Sequence, residues 1–258
     1  MPRLPFTSAL VTGASSGIGA AMVEQLATAG VPTVVVARRA DRLEELARRF
    51  DGVEVLAADL TEADGVAAVS ARAADPQRPV DLVVNNAGFG TSGRFHELDA
   101  ARLQREIGLN VAALTAISHA ALAVMVPRGR GYLLNVSSMV SFQPAPALAV
   151  YTATKAYVTS LCESLHEETR GTGVHVTALC PGLTKTEFQS VSSSDGYAGQ
   201  YPSFLWTPVE QVARTGLEAV AAGRALAIPG AQYKAMGLAV GMLPRRVLRR
   251  ASSLVQRT

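Results

Sequence analysis

Cysteine and histidine are both scarce in this chain, and their spacing removes whole classes of chemistry. Cys162 and Cys180 are the only two cysteines among 258 residues, too few for a disulfide framework and without a metal-binding spacing. Two reduced, mostly buried thiols are expected. His96, His119, His166 and His175 form no HxxxH or HxxE set, so no metal is assigned. No uninterrupted apolar run is long enough to span a bilayer, and the first apolar run starts within a few residues of Met1, which leaves no room for a signal peptide. A cytoplasmic protein is the expectation. Acidic residues are missing from one region only: residues 219–258 hold seven basic side chains and no acidic one, in a chain whose total is +3. Basicity is therefore segregated at one end. No nucleic-acid-reading motif accompanies it, and a nucleic-acid role is not expected.

What is present is a large apolar content, 48% of the residues, enough for a sizeable core. Apolar runs at 8–12, 33–37, 53–57, 80–84, 132–136 and 174–179 alternate with helical stretches, among them 18–29, 100–126 and 150–170. No linker or repeat interrupts them. That alternation predicts βαβ units, a parallel sheet and the α/β class.

The first strand-to-helix junction reads TGASSGIG over residues 12–19. Gly13, Gly17 and Gly19 fall where missing side chains let a pyrophosphate approach a helix N-terminus, whose free N–H groups and dipole favour negative charge. Far downstream, Tyr151 and Lys155 are four residues apart on one helix face, thirteen residues after Ser138. An ammonium so placed favours the ionised form of the phenol. An unperturbed tyrosine titrates near pH ~10, so use at neutral pH requires a shift of roughly three units, or about 4 kcal/mol. Tyr151 would then give and take a proton, while Ser138 polarises a carbonyl oxygen.

The glycine turn, NNAG at 85–88, Asn110, Ser138, the YxxxK pair and PG at Pro181 and Gly182 resemble the short-chain dehydrogenase/reductase family in order and spacing, over about residues 6–229. The resemblance implies one Rossmann-type doubly wound domain spanning 1–258, with a seven-stranded parallel sheet flanked by helices, and hydride transfer between a carbonyl and an alcohol. It implies a catalytic tetrad of Asn110, Ser138, Tyr151 and Lys155, with Asn110 relaying through a water and Lys155 binding ribose. It also implies a cofactor groove formed by Gly13, Ser15, Ser16, Gly17, Ile18, Gly19, Arg38, Arg39, Asp59, Leu60, Asn86, Ala87, Gly88, Tyr151, Lys155, Pro181, Gly182, Thr184 and Thr186. Asp59 would contact the adenine amino group and Thr186 the nicotinamide carboxamide. Lys185 stands where relatives often carry an acidic or small residue. In this family the two long helices, 100–126 and 150–170, build a subunit interface, so a homodimer or homotetramer is expected.

An NAD enzyme of this class usually has an acidic residue at the end of the second strand; this chain has Ala37, Arg38 and Arg39. A guanidinium can bind a 2′-phosphate in bidentate fashion, which favours NADP(H), with Arg38 the stronger candidate. Residues 187–207 mix polar residues with Tyr197, Tyr201, Phe204 and Trp206, as a substrate lid or a surface excursion would. With Phe89, Met139 and Phe142 as apolar wall, a lipid-like or alicyclic carbonyl compound or alcohol is the expected substrate. An acyl-carrier β-ketoreductase and a steroid- or retinoid-type dehydrogenase both fit, and a non-catalytic cofactor-binding sensor or scaffold is the alternative outside enzymology. The extension at 230–258 predicts a basic amphipathic helix after Pro244, bearing Arg245, Arg246, Arg249 and Arg250. That helix could pack over the cleft or make peripheral contact with a membrane.

Overall fold

The computed structural model describes residues 4–192, 202–243, 246 and 248–250. Seven parallel strands form one sheet in the order β3-β2-β1-β4-β5-β6-β7. They are β1 (Ala9–Thr12), β2 (Thr33–Ala37), β3 (Val53–Ala57), β4 (Leu82–Asn85), β5 (Gly131–Val136), β6 (Val174–Leu179) and β7 (Leu226–Ala227). Six of them coincide with the apolar runs within two residues at each end. The seventh is two residues long, below the length at which a pattern of apolar residues can be read.

Strand order reverses between β1 and β4, whose paired register runs to Val11 and Val84, and the crevice lies at the carboxyl ends of these strands. Around it pack α1 (Gly17–Thr28), α2 (Ala40–Arg49), α3 (Ala63–Ala73), α4 (Ala100–Ile107), α5 (Leu114–Arg128), α6 (Ala149–Glu168), α7 (Phe188–Val191), α8 (Val209–Ala221) and α9 (Ala231–Met242). Each sheet face is sealed by its own core. Leu26, Val35, Leu134, Leu179 and Leu217 belong to one cluster, and Leu10, Val83, Ile117, Leu133 and Val176 to the other. Strands buried on both faces read as continuous apolar runs, which is why they were legible.

The predicted helix at 100–126 is one helical stretch, Ala100–Arg128, long and apolar enough by composition to cross a bilayer. Arg102, Arg105, Glu106 and Asn110 interrupt it, so it is not one continuous apolar run. Here it buries Leu114, Ile117, Ala121 and Met125 in the core. Between α4 and α5 its winding loosens into a π turn, Gly108–Ala113, that contains Asn110. Such turns are often found at functional sites. The predicted lid lies partly outside the described residues, Tyr197 and Tyr201 included. Of the helix expected after Pro244, Arg246 and residues 248–250 are described and helical, and the rest, Arg245 included, lies outside the described residues.

Candidate active site

Gly13 and Gly17 adopt φ of +66° and +57°, the left-handed region open to glycine at little cost. A β-carbon on Gly13 would stand 2.7 Å from Asn86 Nδ2 and 2.9 Å from Ala87 Cα. The turn therefore nests against the end of β4. Asn86 Nδ2 donates to the carbonyls of Thr12 (3.0 Å) and Gly13 (3.2 Å), and the Asn86 and Ala87 N–H groups donate to Thr12 Oγ1 at 3.0 and 3.1 Å. Thr12 thus ties the two strand ends together, a role no motif announces. Gly19 packs on the Gly13 carbonyl and is off the cavity wall.

A cavity of about 760 Å³ runs along this crevice. One end is lined by Arg38, Arg39, Asp59 and Leu60; the middle by Gly13, Ser15, Ser16, Gly17, Ile18 and Asn86–Gly88, with Thr186 against Gly17; Ser138, Tyr151, Lys155, Pro181, Gly182 and Thr184 complete the wall. Every expected groove residue except Gly19 lines it. The small residues in the middle leave room for a phosphate at the head of α1, so the crevice fits a dinucleotide. Phe89 and Met139 contribute apolar wall together with Leu205, Trp206 and Met236. Phe142 does not, since it packs into the core beneath. Lys185 is exposed and off the wall.

Along that wall, β5 and α6 hold the reactive groups. Ser137 Oγ donates to the Lys155 carbonyl at 2.8 Å, fixing the helix against the strand that delivers Ser138. Lys155 Nζ donates to the Val136 carbonyl at 2.8 Å and stands 5.7 Å from the Tyr151 ring centroid. Burial lowers the Lys155 pKa to about 8. Burial also raises the Tyr151 phenol well above its usual range, against an opposing hydrogen bond from Ser138. The lowering expected from Lys155 is thus absent in the protein alone. The ammonium is engaged by a strand carbonyl, and desolvation outweighs its attraction at this distance.

Asn110 is buried behind the cavity wall. Its Nδ2 donates to the Phe89 carbonyl (2.8 Å) and Thr154 Oγ1 (3.2 Å), and its Oδ1 accepts from Phe89 N–H (3.2 Å). A β-carbon on Gly88 would lie 2.8 Å from Asn110 Oδ1 and 3.6 Å from Lys155 Nζ, so the amide and the ammonium flank the same glycine.

Three further residues, Glu187, Gln189 and Glu106, shape the site, and no motif marks them. Glu187 pairs with Arg39 at 2.9 Å and Arg42 at 3.4 Å, while Arg39 also donates to Ser15 Oγ at 3.0 Å. Arg38 is 68% exposed at its side chain and lies 3.9 Å from Asp59, whose other oxygen accepts from Thr61. Gln189 accepts from Thr186 N–H and donates to the Thr184 carbonyl, bracing the segment after Gly182. Glu106, one helical turn before Asn110, is fully buried. Its spacing of four from Asn110 was the one available clue.

The sequence profile of the short chain dehydrogenase family matches residues 7–196. The chain belongs to the short-chain dehydrogenase/reductase family. Within it, the chain is 36% identical over 201 residues to an uncharacterized oxidoreductase of Myxococcus xanthus, covering 75% of this chain and 78% of that one. It is 34% identical over 193 residues to the sulfoacetaldehyde reductase of Chromohalobacter salexigens, covering 73% and 76%. Among solved structures, a short-chain dehydrogenase from Sphingobium yanoikuyae in complex with NADPH superposes with a TM-score of 0.82 at 34% identity, covering 90% of this chain and 92% of that one. A bulky-bulky ketone specific alcohol dehydrogenase from Comamonas testosteroni gives 0.77 at 29%, covering 93% and 95%. The protein is an oxidoreductase of this family, with a nicotinamide dinucleotide as the family's cofactor.

Proposed function

We propose that the protein interconverts a ketone or aldehyde and its alcohol, using NADP(H), on an apolar or lipid-like small molecule. The observation that carries this reading is that Ser138, Tyr151 and Lys155 line the same cavity as the glycine turn and the two arginines Arg38 and Arg39. Ala37 offers no carboxylate to repel a 2′-phosphate, and Arg38 and Arg39 offer guanidinium forks; the structurally similar Sphingobium enzyme binds NADPH. Leu205, Trp206, Tyr233 and Met236 favour an apolar substrate.

NADPH, when bound, supplies a hydride to the carbonyl carbon, and NADP⁺ accepts one in the reverse direction. Tyr151 gives its phenolic proton to the developing alkoxide. Ser138 donates a hydrogen bond to the same oxygen, stabilising its charge. Lys155 binds the nicotinamide ribose, and its charge works against the cost of ionising the buried tyrosine. Asn110 orders a water toward Lys155. Thr186 fixes the carboxamide, and Asp59 and Leu60 border the adenine.

We further propose a homodimer or homotetramer. Phe95, Ile107, Val111, Val150 and Ala153 form an apolar surface between the two long helices, with Phe95 62% exposed. Two buried free thiols, with pKa values raised by burial to about 12 at Cys162 and about 11 at Cys180, are consistent with a cytoplasmic location. A screen of ketones, aldehydes and alcohols with both cofactors, read at the nicotinamide absorbance, tests the activity. Tight NADPH binding without turnover on any of them would favour a sensor instead.

A further inference from the structure

Glu106 is a titratable group that the chemistry above does not use. It is 0% exposed, and neither carboxyl oxygen meets a partner at good hydrogen-bond geometry among the described residues, although the Thr91 hydroxyl, the Arg102 guanidinium and the Lys155 ammonium stand near enough to offset part of the cost of its charge. A buried carboxylate is costly unless paired, so an unpaired carboxyl in such a place favours its neutral, protonated form. Burial raises its pKa accordingly. The guanidinium of Arg102, one turn earlier, donates to Thr91 Oγ1 at 3.2 Å and to the Gly90 carbonyl at 3.4 Å. On the other side, α4 packs against α6. The titratable and charged groups around Glu106 are therefore Arg102 from its own helix and Tyr151 and Lys155 from α6, with the uncharged Thr91 on the loop after β4.

We propose that Glu106 is a positioning residue for the reaction assigned above: a buried carboxylic acid behind Asn110 whose gain or loss of a proton sets the charge balance of Lys155 and Tyr151. The proposal rests on that reaction. The step is a proton exchange with solvent in which the neutral acid yields a carboxylate and a proton, and no other bond changes. As a carboxylate, Glu106 strengthens the hold of Lys155 on its proton and opposes ionisation of Tyr151, since a nearby negative charge raises both pKa values. As a neutral acid it does neither. Ionisation of Tyr151 is thereby linked to protonation of Glu106.

The test uses the full-length protein. Infrared difference spectra between low and high pH should show the carbonyl stretch of a protonated carboxylic acid, and Glu106→Gln should delete it. Titration of NADP⁺ in buffers of different ionisation enthalpy should show fewer protons exchanged per site in Glu106→Gln than in the unmodified protein. In alcohol oxidation, the limb of kcat against pH should move to lower pH by about one unit in Glu106→Gln, and Glu106→Asp should move it back. An unchanged spectrum, proton count and limb in Glu106→Gln would overturn the proposal. If that variant does not fold, the unmodified protein decides, since no carboxylic-acid band titrating above the ordinary carboxylate range also overturns it. Turnover that survives Tyr151→Phe would overturn the assigned reaction, whereas an inactive Tyr151→Phe beside an unperturbed Glu106→Gln defeats this inference alone.

Discussion

Tyr233 lies flat against Gly182, so close that a β-carbon on residue 182 would fall within the phenol ring. The same phenol accepts from Leu183 N–H at 2.9 Å and donates to the Leu205 carbonyl at 2.7 Å. One side chain from α9 thus joins the Pro181–Gly182 turn to the segment bearing Trp206. Gly182→Ala should overpack this contact and cost about 1–3 kcal/mol. Tyr233→Phe keeps the ring and removes the hydroxyl bonds, at about 1 kcal/mol each. Thermal denaturation of both variants checks the ranking, and an alanine at 182 with unchanged melting would contradict the contact.

Tyr151→Phe should reduce turnover by at least about 10²-fold, the usual contribution of a placed acid or base, with cofactor affinity nearly unchanged. Lys155→Met should weaken both, since the ammonium serves ribose and tyrosine. The folded pKa of Lys155 is about 8, below its ordinary 10.5, so the cation is present below that pH and lost above it. Cofactor affinity should therefore fall as pH rises through about 8, and Lys155→Met should abolish that dependence. Fluorescence titrations of NADPH across this range measure it.

Arg38→Ala should lower the preference for NADPH over NADH on the order of ten- to a hundredfold, the equivalent of one hydrogen bond to a charged group at about 1.5–3 kcal/mol. Arg39→Ala should have a second effect, because Arg39 also holds Ser15 and Glu187. Equal dissociation constants for the two cofactors in the unmodified protein would refute the assignment.

Asp81 governs acid stability at the start of β4. Burial alone would raise its pKa, but hydrogen bonds from Thr7 and Arg130 outweigh it and hold the carboxyl below its ordinary value. Arg130 Nη2 lies 2.9 Å and Arg128 Nη2 3.4 Å away. A depressed carboxyl pKa contributes stability that is present above the unfolded value of about 3.9 and lost as pH falls through the folded one. Asp81→Asn should cost about 1–3 kcal/mol at neutral pH, given the exposed Arg130 partner. Urea unfolding of the two proteins should converge in strong acid.

At the basic end, Arg246, Arg249 and Arg250 are exposed and Leu248 is buried, the arrangement expected of an amphipathic helix. If this end meets an anionic bilayer, each basic residue should contribute about 1 kcal/mol at low salt. Co-sedimentation with anionic vesicles should then be salt-sensitive, and Glu at positions 245, 246, 249 and 250 should abolish it. No salt-sensitive sedimentation would leave only a packing role.

The local features were readable because they repeat or punctuate. Strands buried on both faces are continuous apolar runs, Gly13 and Gly17 mark a turn that needs positive φ, and a spacing of four puts Tyr151 and Lys155 on one face of a helix. Residue order alone was enough for the α/β class, the family and most of the cofactor side of the cavity, Gly19 excepted. Long-range geometry decided the rest. The Lys155 ammonium lies against the Val136 carbonyl, and the Tyr151 phenol is pushed up by burial, because desolvation depends on what surrounds a group and not on its neighbours in sequence. Glu187 reaches Arg39 across 148 positions of chain, and Tyr233 meets Gly182 across 51. No local pattern encodes such pairs; they exist only after the sheet has brought the carboxyl ends of its strands together.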